Sequence, residues 1–423
     1  MLYDIGFAIF SIIYLPTLIF KGKLHGDFAE RFASYDAEKK KALAASKDAI
    51  WIQAVSVGEV ALCKSLIPSL KEKFPNSAIV LSTITKTGND LAKKLFSNDA
   101  IIIYFPLDFS FTVKKAVALI RPKIYIMVET EIWPNMLKET SVRSIPSILI
   151  NGRISDRSIN KYKLVKPFLK KTLERISLFC MQSKTDAERM ISLGADPAKV
   201  KVTGNMKFDV DAPSDQRQAQ QIRESLRLKP DDDLFVAGSI HPGEELLIIR
   251  SFRELNKEFP RLRLLIAPRH VENLVYCETI AKEYGFNPLR VSKLNKSESH
   301  SVSSDIIILD TIGQLKEIYS IAALVFIGGS FVKHGGQNPI EPAMFAKPIF
   351  FGPHMFNFKA VAAAFLAADG AVQITEGDDM LSRVRMLLED EKYRARLGEN
   401  AKRVVEENRG ATERNLKAIA GII

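Results

Sequence analysis

The apolar positions of this chain change their spacing at Ala49, where short apolar runs begin to alternate with amphipathic stretches. Segments such as Glu59–Phe74 and Lys184–Leu193 carry apolar residues at helical spacing. Between such segments, the runs predict the strands Ile50–Val57, Ala78–Ile84, Ile101–Phe105, Ile124–Val128, Ser147–Ile150, Leu178–Met181 and Val200–Thr203. Short buried strands that alternate with helices are typical of a parallel sheet, which binds ligands at the carboxyl ends of its strands.

The same alternation resumes after a polar stretch, Asp209–Arg227, whose first part is interpreted as a linker. The second set of predicted strands is Leu234–Ile240, Arg263–Ala267, Ile306–Leu309, Leu324–Gly328 and Pro348–Phe351. We therefore predict an α/β protein with two α/β domains and a cleft between them. The expected boundaries are 23–210 for the N-terminal domain, 211–228 for the linker, 229–400 for the C-terminal domain and 401–423 for a helix that crosses back to the first.

Residues 1–22 are predicted to form a membrane anchor. Met1–Phe20 is almost wholly apolar and aromatic, and a spanning helix needs about 20 such residues. No basic segment precedes it and no small-residue cleavage site follows, which argues against a cleaved signal peptide. Lys21, Lys23 and Arg31 come next, so the positive-inside tendency places the rest of the chain in the cytoplasm. A helix packed on the domain, or lying in the membrane interface, explains the same composition.

The chain carries a net charge of +11, with 60 basic and 49 acidic residues among 423. This excess permits binding to nucleic acid, to an anionic membrane or to an acidic substrate. The sequence contains no recognisable nucleic-acid motif. Its three cysteines are far apart without a C-x-x-C pair, which indicates reduced thiols and no zinc site. The glycine signatures of P-loop ATPases, dinucleotide oxidoreductases and serine hydrolases are also absent.

In the first domain, charged residues follow the predicted strands. Glu59 stands at a strand-to-helix turn, where a carboxylate can act as a general base or simply compensate the helix dipole. Glu129 and Glu131 follow another strand, beside Trp133 and Pro134. At the domain junction, Lys207 is placed either to neutralise developing negative charge or as an ordinary solvated lysine.

In the second domain, the glycine-rich segment Phe326–Pro342 follows a predicted strand and is interpreted as a phosphate-receiving loop. Asn338 is expected to be the N-cap of a helix whose first residue is Pro339, with Glu341 in the first turn. A bare capping pair explains the same pattern. Arg269, after another strand, is suited to grip a phosphate. Histidines also follow these strands, but without metal-ligand spacing, so no metal site is predicted.

These segments resemble the Kdo transferases of lipopolysaccharide synthesis, which transfer 3-deoxy-D-manno-octulosonic acid (Kdo) from CMP-Kdo to lipid A precursor. The resemblance runs in the family's order over nearly the whole chain. It rests on the segments Ala54–Glu59, Met127–Asn135, Thr203–Asp209, Gly238–Glu245, Pro268–His270, Gly328–Pro342 and Gly352–His354. It implies a GT-B architecture of two facing Rossmann-like α/β domains, anchored at the cytoplasmic side of the inner membrane.

The resemblance also implies roles for individual residues. Glu59 matches the catalytic base, and Glu129 and Lys207 match positions that stabilise the transition state. The segments that match the CMP-binding residues are Pro268 and Arg269, then Ile312, Gly313 and Gln314, then Asn338, Pro339, Ile340 and Glu341. The implied reaction is an inverting transfer to a hydroxyl of lipid A precursor (lipid IVA). No metal or other cofactor is expected, because the donor is a monophosphate ester.

Two positions depart from the family pattern. Gln314 stands where the family often has Glu, and Gln337 stands where His is frequent. We expect the first to adjust nucleotide contacts, and the second leaves the role of that side chain open. The implied partners are CMP-Kdo, lipid A precursor and an anionic membrane surface, which the basic segment Tyr162–Ile176 is suited to contact. The alternatives are another GT-B glycosyltransferase or an epimerase that uses a UDP-sugar, and a non-catalytic protein that binds nucleic acid.

Overall fold

The computed structural model describes residues 3–9, 26–46, 48–210, 216–294, 304–375 and 377–423. The chain divides into two compact units. Unit 1 comprises Met1–Asp209 together with Arg409–Ile423, and unit 2 comprises Val210–Asn408. The division into an earlier and a later α/β body follows the two sets of strands that the sequence pattern predicts.

Unit 1 is built on a parallel sheet of seven strands in the order β3-β2-β1-β4-β5-β6-β7. The strands are β1 Ala49–Gln53, β2 Ile79–Thr83, β3 Ile101–Tyr104, β4 Pro122–Val128, β5 Ser147–Gly152, β6 Leu178–Met181 and β7 Val200–Val202. The order reverses between β1 and β4, and such a switch point is where a doubly wound sheet opens a crevice for ligands.

Nine α-helices of unit 1 begin and end within the described residues: Ala37–Ala45, Val57–Lys73, Lys86–Phe96, Ser110–Ile120, Pro134–Val142, Asp156–Leu164, Lys166–Leu173, Lys184–Ser192 and Ala411–Ala420. The 3₁₀ segments of unit 1 are Gly26–Phe32, Pro197–Lys199 and Met206–Phe208. The helix Val57–Lys73 shows why they pack: Val60, Cys63, Ile67 and Leu70 recur every three or four residues and are all buried against the sheet.

Unit 2 repeats the plan with a parallel sheet in the order β10-β11-β9-β8-β12-β13-β14. Its strands are β8 Asp233–Ile240, β9 Leu262–Pro268, β10 Leu289–Arg290, β11 Ile306–Ile308, β12 Leu324–Ile327, β13 Ile349–Phe351 and β14 Val372–Gln373. Its helices are Gln216–Ser225, Glu245–Glu258, Leu274–Glu283, Val291–Leu294, Leu315–Tyr319, Ile340–Ala343, Lys359–Ala367, Gly377–Glu389 and Glu391–Asn408, with 3₁₀ turns at Val271–Asn273 and Phe356–Phe358.

Several elements differ from the sequence-based expectation. The strands β10 and β14 were not predicted, because two residues are too few to show a periodic pattern. The segment expected to be a linker contains the helix Gln216–Ser225. The expected basic helix within Tyr162–Ile176 is interrupted at Val165, whose backbone angles are not helical and which is followed by Pro167 in the next helix's first turn.

The C-terminal residues return to unit 1, and hydrogen bonds explain how. Asp209 accepts the backbone N–H groups of Gly410, at 2.6 Å, and of Thr412, so one carboxylate satisfies two free donors at the start of the helix Ala411–Ala420. The Thr203 hydroxyl donates to Asn415 at 3.2 Å. The helix Glu391–Asn408 continues through residue 400, and the chain returns at Arg409.

Most of the predicted anchor, residues 1–22, lies outside the described residues. Residues 3–9 are helical and contact unit 1, where Tyr3 stacks on Phe168 and Phe7 meets Phe109 edge to face. In the described part of the chain, no helix combines the length and the apolar content needed to cross a membrane.

Candidate active site

Glu59 lies at the carboxyl end of β1, in the first turn of the helix that follows, and only 7% of it is exposed. Its carboxylate accepts the backbone N–H of Val55 at 2.6 Å and the hydroxyl of Ser56 at 3.0 Å. These bonds resemble a capping box, so the carboxylate also stabilises the start of the helix. They also hold it in one orientation at the switch point of the sheet.

Burial raises the pKa of Glu59 to about 8. The hydrogen bond from the Val55 N–H opposes this rise, while the nearby carboxyl groups of Glu131 and Glu129 add to it. A carboxyl group with such a pKa becomes a much stronger base than an ordinary glutamate once it loses its proton. This is how enzymes bring a carboxylate into the range useful for general base catalysis.

Glu129 and Lys207, predicted from separate strand ends, are brought together by the structure. The Lys207 Nζ lies 3.6 Å from a carboxylate oxygen of Glu129, and both side chains are half-buried. Glu129 has a φ of +60°, a left-handed conformation that costs a non-glycine residue about 1–3 kcal/mol. Its N–H donates to the carbonyl of Ile150 at 3.0 Å, which helps to hold this turn directly after β4.

The turn that carries Lys207 is fixed by two asparagines. The side-chain oxygen of Asn151, at the end of β5, accepts the N–H of Met206 at 2.9 Å. Asn205 accepts the N–H of Lys207 at 3.0 Å. Sequence reasoning missed Asn151, because a single asparagine at a strand end gives no pattern. Asn151 therefore positions the turn that carries Lys207 by a hydrogen bond to the backbone.

Glu131 is a third carboxyl group in this neighbourhood, noted in the sequence but given no role. Burial raises its pKa to about 7. The Trp133 indole N–H, 3.1 Å from the carboxylate, opposes the rise and Glu129 adds to it. Three carboxyl groups of unit 1 therefore influence one another, and the base candidate is the most buried of them.

In unit 2, the glycine-rich loop after β12 is held by a buried carboxylate that sequence reasoning also missed. Glu244 is fully buried and accepts four backbone N–H groups. They belong to His241 (2.9 Å), Gly329 (2.7 Å), Ser330 (3.0 Å) and Phe331 (2.9 Å). A Cβ on Gly328 would lie 2.3 Å from the carbonyl oxygen of Ser239, so only glycine fits there. Glu244 thus ties the loop after β8 to the loop after β12.

The helix expected at Asn338 begins one residue later than predicted. Its first residue is Ile340, its N-cap is Pro339, and it ends at Ala343 after one turn, with Pro342 inside it. Asn338 nevertheless accepts the N–H of Ile340 at 3.1 Å and donates to Glu341 at 3.2 Å. A single turn has too few aligned peptides for a strong dipole. The interpretation of this segment as a phosphate-receiving site stays a prediction.

The other predicted donor-binding residues follow neighbouring strands. Pro268 ends β9, and the N–H of Arg269 donates to Ile240 at the end of β8. Ile312, 85% exposed, follows β11, which pairs with β9. With Gly313 and Gln314 it lines a cavity of about 580 Å³ bordered by the helix Gln216–Ser225. All of these loops lie at the carboxyl edge of the unit 2 sheet.

Three histidines, one from each of the loops after β8, β9 and β12, lie close together. The rings of His241 and His334 are stacked with centroids 4.2 Å apart, and the ring of His270 lies 5.7 Å from His241. Stacked rings do not converge their nitrogens on one point. In the described ranges no group of three or more histidine, cysteine or acidic residues is placed to hold a metal ion.

Comparison with known proteins identifies the family. Residues 26–210 match the family described as 3-Deoxy-D-manno-octulosonic-acid transferase (kdotransferase). The chain is 34% identical over 391 residues to the 3-deoxy-D-manno-octulosonic acid transferase of Haemophilus influenzae, covering 92% of this chain and 89% of the relative. This chain belongs to the Kdo transferase family. It is therefore a glycosyltransferase, as its motifs imply.

A second Kdo transferase and a solved structure extend this picture. The enzyme of Chlamydophila psittaci is 29% identical over 396 residues, covering 93% of this chain and 90% of the relative. The solved UDP-GlcNAc 2-epimerase of Neisseria meningitidis has a TM-score of 0.59 at 13% identity, covering 88% of this chain and 99% of the other. At that identity the likeness shows the α/β fold alone. The family membership rests on the Kdo transferases.

Proposed function

We propose that this Kdo transferase moves Kdo from CMP-Kdo to a hydroxyl of a lipid A precursor (lipid IVA) and releases CMP, with inversion at the anomeric carbon. The observation that carries the proposal is the buried Glu59 at the switch point of unit 1, with its raised pKa and its neighbouring carboxyl groups. An inverting transfer needs one base for the acceptor hydroxyl, and Glu59 has the environment of such a base.

In the proposed step, Glu59 takes the proton of the acceptor hydroxyl as the hydroxyl oxygen attacks the anomeric carbon of Kdo. A new carbon–oxygen bond forms while the bond from that carbon to the phosphate oxygen breaks. The bonding electrons leave with CMP. Glu129 holds the Lys207 ammonium group at 3.6 Å, and this ion pair places positive charge to stabilise the negative charge that develops.

The donor is proposed to bind unit 2 of a GT-B architecture. Arg269, which is exposed at the end of β9, and the loop Asn338–Glu341 would receive the phosphate of CMP. Ile312, Gly313 and Gln314 would hold the nucleoside beside their cavity. We propose no metal, because a phosphodiester carries a single negative charge that one guanidinium group can balance.

We further propose that the enzyme acts at the cytoplasmic side of the inner membrane, with residues 1–22 as its anchor. Unit 1 exposes apolar side chains among lysines between and within the helices Asp156–Leu164 and Lys166–Leu173. The exposed fraction is 84% for Leu164 and 48% for Phe168. Apolar residues surrounded by lysines suit the surface of an anionic bilayer.

Replacing Leu164 and Phe168 together by Ser should weaken binding to phosphatidylglycerol vesicles by roughly tenfold or more, since each side chain would otherwise bury apolar surface in lipid. Co-sedimentation of the full chain measures this. Leu246→Ser, which changes a side chain of unit 2 that is 48% exposed, is the matched control and should leave binding unchanged. Equal binding by all three proteins would contradict the proposed membrane surface.

The reaction itself is tested by incubating the protein with CMP-Kdo and lipid A precursor and measuring the mass of the product. We expect an increase by one or more Kdo residues and release of CMP. CMP should compete with the donor, whereas UDP should not. Competition by UDP without competition by CMP would instead favour a glycosyltransferase or epimerase that uses a UDP-sugar.

A further inference from the structure

The three gathered histidines of unit 2 come from three different loops and lie beside the residues proposed to bind the donor. His241 follows β8, His270 follows Arg269 after β9, and His334 belongs to the glycine-rich loop after β12. His241 is buried, at 6% exposure, while His270 and His334 are exposed. The buried ring of His241 therefore lies beneath the exposed rings of His270 and His334, which a ligand can contact.

The hydrogen bonding of His241 fixes its state. The side-chain nitrogen of Gln337 lies 3.0 Å from its Nε2. An amide nitrogen can only donate, so this ring nitrogen accepts and the ring carries its proton on Nδ1. Burial, together with the adjacent His334, His270 and Arg269, lowers the pKa of His241 to about 4. His241 is thus a neutral support for the ring stacked on it.

The ionisable groups that act on the charge of His241 are all basic. The neighbours that act on its charge are Arg269, His270 and His334, and Lys333 is exposed next to the last of these. The closest carboxylate of this loop system, Glu244, is already occupied by four backbone N–H groups below the surface. The exposed face above His241 therefore offers donors and positive charge, which suit an anion.

The proposed donor carries two separate anionic groups, its phosphodiester and the carboxylate of the sugar acid. The phosphodiester has its partners in Arg269 and the loop Asn338–Glu341. The carbon of a sugar carboxylate on the same anomeric carbon lies two bonds from the ester oxygen of the phosphate, so the carboxylate needs donors beside the phosphate site. The exposed rings of His270 and His334 both pack against His241. Arg269 acts on the charge of this ring, and Gln337, which directly precedes Asn338, bonds its Nε2, so the two exposed rings lie beside that site.

We propose that His270 and His334 bind the carboxylate of the donor sugar and thereby select an acidic sugar over a neutral one, with His241 as the positioning residue beneath them. This inference rests on the proposed function and adds a specificity subsite to it. Gln337, which departs from the family pattern, has a role in this arrangement because it fixes the ring of His241.

Steady-state kinetics of the full chain distinguish binding of the sugar carboxylate from binding of the nucleotide. For His334→Ala and for His270→Ala, we expect the KM for CMP-Kdo to rise about tenfold or more through loss of a charge-assisted contact. The inhibition constant of CMP, which lacks the sugar carboxylate, should stay within about twofold of wild type. His354→Ala, in the loop after β13, is the matched histidine control and should change neither quantity.

Equal increases in the KM for CMP-Kdo and the inhibition constant of CMP would assign the histidines to the nucleotide and overturn the inference. If neither the KM for CMP-Kdo nor the inhibition constant of CMP changed, His270 and His334 would not bind the donor, and the inference would be overturned. His334→Gln, which keeps a donor of similar reach, should recover part of the lost affinity, and its thermal unfolding checks that the loop is intact. A wild-type protein that transfers no Kdo would contradict the proposed function itself, an outcome visible before any variant is made.

Discussion

Replacing Glu59 by Gln is expected to lower kcat by about 10²–10⁴, because the variant keeps an acceptor for the Val55 N–H but cannot take up the proton of the acceptor hydroxyl. CMP affinity should stay unchanged, since the nucleotide is proposed to bind unit 2. Glu72→Gln, an exposed position of the same helix, is the matched control. Near-normal turnover in Glu59→Gln would rule out the base assignment.

The pH dependence gives a second measurement on the same residue. A base must be deprotonated to act, so kcat/KM of the wild type should rise with pH through about 8, the value to which burial raises the pKa of Glu59. The effect on stability has the opposite sign. The folded pKa lies above the ordinary value, so the stability contribution of this group is greatest at low pH and is lost as pH rises through about 8. Glu59→Gln should remove both dependences.

Replacing Glu244 by Gln should destabilise unit 2 by about 3 kcal/mol or more. The carboxylate accepts four backbone N–H groups, and an amide would turn one acceptor oxygen into an NH₂ group that faces two of those donors. Chemical denaturation followed with a probe in unit 2 measures the loss. Affinity for CMP should fall as well, because the same carboxylate joins the loops after β8 and β12.

The control for this variant lies on the following helix. Glu254→Gln changes a half-buried surface carboxylate that pairs with Lys257 and Arg253, and surface pairs of this kind contribute little. Its unfolding should match that of the wild type. If Glu244→Gln unfolded like Glu254→Gln, the buried carboxylate would not be what holds the glycine-rich loop.

The candidate site was only partly visible in the sequence. Glu59 stood out because it directly follows an apolar run and begins an amphipathic one, a position that any parallel α/β fold places at the ligand-binding edge. Glu244 has the same kind of position in unit 2, but its function depends on backbone donors that lie 85 to 87 residues away along the chain. No local pattern contains that information.

Short elements were the hardest to predict. The helix at Ile340–Ala343 was expected to begin at Pro339, because Asn338, Pro339 and Glu341 carry the signals of a helix start. Those signals report the first turn, and the side chains do form the expected bonds. They do not report how far the helix continues, and this helix ends after one turn, at Ala343.

The sequence by itself determined the class of fold, most strand positions and the residue types of the site, because buried strands and turns produce local patterns of apolar and polar residues. It also determined the family, through the motifs that the chain shares with its relatives. Only the tertiary structure decided the order of the strands, the 3.6 Å pairing of Lys207 with Glu129 and the gathering of the three histidines. The physical reason is separation along the chain: these contacts join residues tens to hundreds of positions apart, and their energies depend on burial that exists only once the sheets have formed.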